Sequence, residues 1–159
     1  MSARRKTGFS LIELLIVVAI FLIIAAIAVP NFMRARVLAN EASAVGSCRM
    51  INTSEVTYGS YYQQGYCATL SQLGPPSSGP VTAANADLID SVLASGTKSG
   101  YSFVYTPSSL SGGIYGGYQV QANPTVPNTT GVRYFYTDPS GVIRTAIGGP
   151  AGPSDSPVS

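Results

Sequence analysis

Residues 9–29 read FSLIELLIVVAIFLIIAAIAV, apolar throughout except for Ser10 and Glu13. No soluble fold of ordinary size hides such a run easily. As an α-helix it reaches roughly 30 Å, enough to cross a bilayer. Arg4, Arg5 and Lys6 stand before the run and no base lies inside it. That asymmetry predicts a cytoplasmic N-terminus. Pro30 follows at once. Proline removes a backbone donor, and helix formers resume after it, so a kink is expected at Pro30 rather than a helix end.

The charge pattern supports an anchored, exported chain. Charged residues make up 10% of the sequence, well below the quarter or so of a soluble domain. The formal charge of +2 leans on the three bases ahead of the apolar run. Without them, six bases face seven acids, a net −1. No basic patch of the kind that holds nucleic acid is visible, so no nucleic-acid partner is expected. There is no His, and the only Cys are Cys48 and Cys67. Two Cys cannot build a multi-Cys zinc site. No metal or cofactor is expected.

The chain divides by composition into residues 1–8, basic and polar; 9–30, a membrane and assembly helix; 31–147, a globular domain; and 148–159, a Gly, Pro and Ser tail expected to be flexible. Residues 31–62 are rich in helix formers. Val37, Ala44, Val45, Cys48, Ile51, Glu55 and Tyr58 recur at helical spacing and form one modest stripe, suited to a helix half-covered by a sheet. Gly59 and Gly65 bracket the expected helix end. Residues 65–100 read as a long connection broken by Pro75, Pro76, Gly79 and Pro80. Inside it a short helix is expected, capped by Asn85, with Leu88, Ile89, Val92 and Leu93 on its apolar side. After Gly100 the period becomes two. Strands are expected at Tyr101–Thr106, Tyr118–Ala122, Val132–Thr137 and Gly141–Ile147, with a turn at Asp138-Pro139-Ser140-Gly141. The expected class is α+β: one long helix packed on an antiparallel sheet of about four strands.

Lys6-Thr7-Gly8-Phe9-Ser10-Leu11-Ile12-Glu13, followed by Leu14-Leu15-Ile16-Val17-Val18-Ala19-Ile20, closely resembles the N-terminal signal of type IV prepilins and type II secretion pseudopilins. Each part has a physical reason. An ordinary secretory signal is cut after its apolar core, which is discarded. Here the small residue, Gly8, precedes the core. A peptidase at the cytoplasmic face can remove the basic leader and leave the anchor. The resemblance implies a cut between Gly8 and Phe9 by a prepilin peptidase, and N-methylation of Phe9. Glu13 is the unusual residue, because a carboxylate inside a membrane helix is costly and functional by default. In the family, the carboxylate at this position meets the terminal amine of a neighbouring subunit and sets the axial register. Two simpler readings explain less. Ala26-Ile27-Ala28 forms a small-x-small site for an ordinary secretory signal, and a plain anchor would leave Glu13 incidental. Neither accounts for Gly8, Phe9, Glu13 and the run together.

Function follows as an expectation. The chain reads as a structural subunit of a type IV pilus-like fibre, serving adhesion, motility or uptake, and not as an enzyme. The seven acids are spread thinly and no nucleophile–base pair is supported by spacing. The alternative is a type II secretion pseudopilin in a short periplasmic fibre. The implied partners are copies of the chain itself, a prepilin peptidase, the inner-membrane assembly machinery and inner-membrane lipid. The subunit would sit in the bacterial inner membrane before assembly, and in an extracellular fibre or periplasmic pseudopilus afterwards. Tyr58, Tyr61, Tyr62 and Tyr66 are expected to serve helix–sheet packing and interfaces. Cys48 and Cys67 lie beyond the membrane segment, where an oxidising space permits a disulfide closing a loop of about 20 residues.

Overall fold

The computed structural model describes residues 9–158. The expected leader, residues 1–8, including Gly8, lies outside the described residues, as does Ser159. The chain divides into two compact units at Ala35–Arg36.

The described part of the first unit is helical from Leu11, within the element α1, Leu11–Tyr62. Its run of Leu, Ile, Val and Ala is what a helix across lipid requires, because every backbone group is satisfied inside the segment. Pro30 lies inside α1. One residue on, Asn31 Nδ2 donates to the Ile27 carbonyl at 3.1 Å.

The second unit holds the rest of α1, a 3-10 turn at Leu70–Leu73, a one-turn helix α2 at Ser91–Ala94, and a six-stranded antiparallel sheet. The strands are β1 (Thr97–Lys98), β2 (Tyr101–Ser111), β3 (Ile114–Pro124), β4 (Arg133–Thr137), β5 (Arg144–Ile147) and β6 (Ser156–Pro157), paired in chain order. The α+β class is as expected, with six strands in place of about four. The strand that begins at Tyr101 continues to Ser111, longer than the expected Tyr101–Thr106. Ser111 pairs with Ile114 across Gly112 and Gly113. Those two glycines have φ of 58° and 85°, the left-handed pair that a two-residue hairpin turn demands. At the expected turn, Asp138 Oδ1 accepts the Ser140 N–H and its carbonyl accepts the Gly141 N–H, both at 2.9 Å.

The helical stripe packs on the sheet. Ala44, Val45, Cys48, Ile51 and Tyr58 of α1 join Tyr101, Phe103, Tyr118, Val120, Ala122 and Phe135 in one core. Val37, at the head of the expected stripe, is only half-buried. Tyr118 Oη donates to Asn52 Oδ1 at 3.0 Å, and Asn52 Nδ2 donates to Thr137 Oγ1 at 2.8 Å. Tyr66 packs edge-on against Tyr118 at 4.9 Å, the packing role expected of that tyrosine.

Three local expectations are corrected. The helix in the connection is capped by Asp90, whose Oδ1 accepts the Leu93 N–H at 3.0 Å; Asn85 instead pairs backbone-to-backbone with Thr82. Leu88 and Ile89 thus precede that helix. The tail, expected to be flexible, is folded onto the sheet through Val158. Strand β6 pairs with β5, Ala151 is fully buried, and Val158 N–H reaches the Ile143 carbonyl at 2.8 Å. Alternation in β3 points Gln121 away from Val120 and Ala122, and its amide reaches the Ala151 carbonyl at 3.2 Å. The tail therefore covers part of the sheet face opposite α1.

Third, the expected Cys48–Cys67 disulfide is not formed; both thiols are free and buried. The helix runs past Ser60 to Tyr62. From Cys48 to that end is about 21 Å along the axis. The five residues onward to Cys67 span about 17 Å at full extension. They are not extended, since Gln63 and Gly65 have φ of 55° and 70°.

Glu41 clasps the start of β4. Its Oε1 accepts the N–H groups of Val132 and Arg133 at 2.9 and 3.1 Å, and its Oε2 accepts from Arg133 Nε at 2.7 Å. Burial alone would push this carboxyl up. The two amides and the guanidinium outweigh it and hold the carboxyl below its ordinary 4.5. A depressed carboxyl stabilises the fold above its ordinary value, and that contribution is lost as pH falls through the depressed one. Glu41→Ala is expected to cost about 2–4 kcal/mol at neutral pH, because it leaves three donors without their acceptor. Chemical denaturation of both chains at pH 7 and pH 3 measures it. The difference should shrink at pH 3.

Candidate functional site

The site is the N-terminal end of α1 and the apolar surface behind it. Ser10 precedes the helix, and its carbonyl accepts the Leu14 N–H at 3.2 Å. Glu13 stands in the first turn. Its Oε2 reaches back to accept the Ser10 N–H at 2.9 Å, the acidic half of a capping box. The carboxylate therefore faces the helix N-terminus, where unpaired N–H groups and the helix dipole favour negative charge. It lies one turn from Phe9, the residue expected to become the new terminus. A carboxylate offers about four lone-pair sites, so the Ser10 bond leaves capacity for a further cation.

The side chains behind Glu13 are laid open. Phe9 is 79% exposed, and Leu14, Ile20, Phe21, Ile24, Ile27 and Val29 are all exposed. α1 contains a stretch long and apolar enough to cross a membrane, and none of its 18-residue window is buried within the chain. Exposed apolar surface on this scale needs lipid or other protein against it.

Of the residues singled out in sequence, Phe9 stands just ahead of α1, Glu13 in its first turn, and Pro30 lies within α1. Cys48 and Cys67 lie in the core of the second unit. Two buried carboxylates, Glu41 and Glu55, had no assigned role in the sequence reading. The signal was present for Glu55, an acid inside the apolar stripe. For Glu41 it was weaker, an acid at helical spacing from Val37, Ala44 and Val45.

Comparison with known proteins bears on the same end of the chain. Residues 3–29 match the family model described as the prokaryotic N-terminal methylation motif, the prepilin motif of type IV pilins and pseudopilins. No curated protein and no solved structure matches the chain.

Proposed function

We propose that the chain is a structural subunit of a type IV pilus-like fibre. The observation that carries this reading is the methylation motif at residues 3–29, joined to a helix whose apolar side chains are exposed. Cleavage between Gly8 and Phe9 removes the basic leader, and Phe9 is N-methylated. The chain waits in the inner membrane with α1 as its anchor. It then leaves lipid for a fibre in which α1 packs against α1 of other copies. Pro30 takes a donor out of the helical ladder and bends α1 where the apolar run ends.

Glu13 sets the register. Within an apolar fibre core, an amine and a carboxylate are each costly alone and offset one another when paired. Axial slips that separate them bury both unpaired. The Ser10 N–H already orients Glu13 toward the helix start, which favours a partner arriving at that end. Immunogold labelling of intact cells tests the reading. Labelled surface fibres are expected. Label confined to the periplasm would transfer the same assembly chemistry to a pseudopilus.

A further inference from the structure

Glu55 is fully buried, between Ile51 and Tyr58 on the face of α1 that meets the sheet. Its Oε1 accepts from the Cys67 thiol at 2.7 Å, and its Oε2 accepts the Cys67 N–H at 3.1 Å. The titratable groups that face it are Tyr58 of α1, Cys67 of the chain leaving α1, Tyr105 of β2 and Tyr118 of β3. All of these are acids. None brings a positive charge, and among the described residues the two ion pairs lie elsewhere, at Lys98–Asp90 and Arg133–Glu41. Glu41 and Glu55 are thus opposites: two buried carboxylates, one given a cation and one denied it.

The segment that Glu55 holds is a junction. Tyr66 N–H donates to the Tyr115 carbonyl at 3.0 Å, near the tip of the β2–β3 hairpin. Tyr105 Oη donates to the Cys67 carbonyl at 2.9 Å. Gly65 packs so closely on Tyr115 and Ile114 that a Cβ there would collide with both. Residues 63–67 therefore tie α1, β2 and β3 together, and the Glu55 carboxyl is their fastening to α1.

We propose that Glu55 is a proton-operated latch: protonated, it fastens residues 63–67 to α1, and loss of its proton to solvent loosens that segment and the hairpin end it holds. A protonated carboxyl keeps Oε2 as the acceptor for the Cys67 N–H, and its Oε1 proton takes over the 2.7 Å contact, donating to the sulfur, a weak acceptor, while the thiol hydrogen turns aside. An ionised one is a buried charge with no counter-ion, which the fold tolerates poorly. Burial accordingly pushes the Glu55 carboxyl above its ordinary 4.5, and the hydrogen bonds from the Cys67 thiol and the Cys67 amide do not offset it. The sign follows. A carboxyl raised in the folded state gives stability that is complete below its ordinary value and is lost as pH rises toward the raised one. Glu41 acts on the acid side of 4.5, so the two effects occupy different pH ranges.

The test compares the full chain with Glu55→Gln in detergent, between pH 5 and pH 8. Thermal unfolding is followed by near-ultraviolet circular dichroism of the tyrosines. In the unsubstituted chain the unfolding constant at fixed temperature should rise with pH, by up to about tenfold per unit, the limit for one proton. Glu55→Gln should remove that dependence, matching the unsubstituted chain at pH 5 and exceeding its stability at pH 8. Parallel pH profiles would overturn the latch. Should Glu55→Gln fail to fold, infrared spectra of the unsubstituted chain decide. A protonated carboxyl C=O band present at pH 6 and lost on alkalinisation supports the latch, and its absence at pH 6 overturns it.

Discussion

Glu13→Ala is expected to leave cleavage and membrane insertion intact and to remove the fibres. An apolar residue suits a lone membrane helix at least as well as a carboxylate, so the anchor tolerates the change. The loss falls on assembly, where the Phe9 amine of an adjoining copy would be buried without a partner. Breaking a buried ion pair by removing one member costs about 3–5 kcal/mol. Subunit addition would then weaken by roughly a hundredfold to several thousandfold. The substitution also removes the acceptor of the Ser10 N–H, a smaller effect at a helix end. Glu13→Gln separates the two, because it keeps an acceptor and drops the charge. Both variants should lack fibres while still showing processed protein in the membrane. Normal numbers of fibres from Glu13→Gln would assign the role of Glu13 to helix capping instead of charge pairing.

Gly8→Asp is expected to block processing outright. Glycine leaves the backbone bare for close approach in a peptidase cleft. Aspartate adds both bulk and a charge beside the membrane surface. The precursor should accumulate with its basic leader attached, and no fibres should form. A leader that stays on keeps three positive charges at the start of the apolar helix, which cannot enter an apolar fibre core without a heavy desolvation cost. Gly8→Ala, small and neutral, should still be cut. Immunoblots that separate precursor from mature chain by size measure both variants.

How far the sequence discloses this molecule depends on which physics dominates each segment. The apolar part of α1 is legible because lipid imposes one rule on every residue, and Leu14–Val29 obey it without exception. The stripe through Ala44, Cys48, Ile51 and Tyr58 is legible because helical spacing alone selects the covered face. The turn at Asp138-Gly141 is legible from turn chemistry. What escapes is set by tertiary contact. β6 consists of Ser156 and Pro157, residues without strand preference, and it exists because β5 offers an edge. Ala151 is buried only because the tail crosses the sheet. Asp90 rather than Asn85 caps α2, a choice between two good capping residues that local sequence leaves open. The cysteine pairing turned on where α1 stops, and Tyr62 at the end of a continuing helix takes Cys67 to Glu55 instead of Cys48. At the proposed cleavage and pairing site, the sequence motif marks Gly8, Phe9 and Glu13. The Ser10 N–H that orients Glu13 needs coordinates, because a backbone donor leaves no mark in a sequence.

The central claim is that the chain is cut ahead of its apolar helix, and intact-mass analysis of the membrane-bound or fibre-borne protein tests it most directly. A mass lacking Met1–Gly8 and carrying one added methyl, with the methyl located on the amine of Phe9 by fragmentation, is the expected result. A mature chain beginning at Val29, after the small-residue site in the apolar run, would mark an ordinary secretory signal and contradict the account.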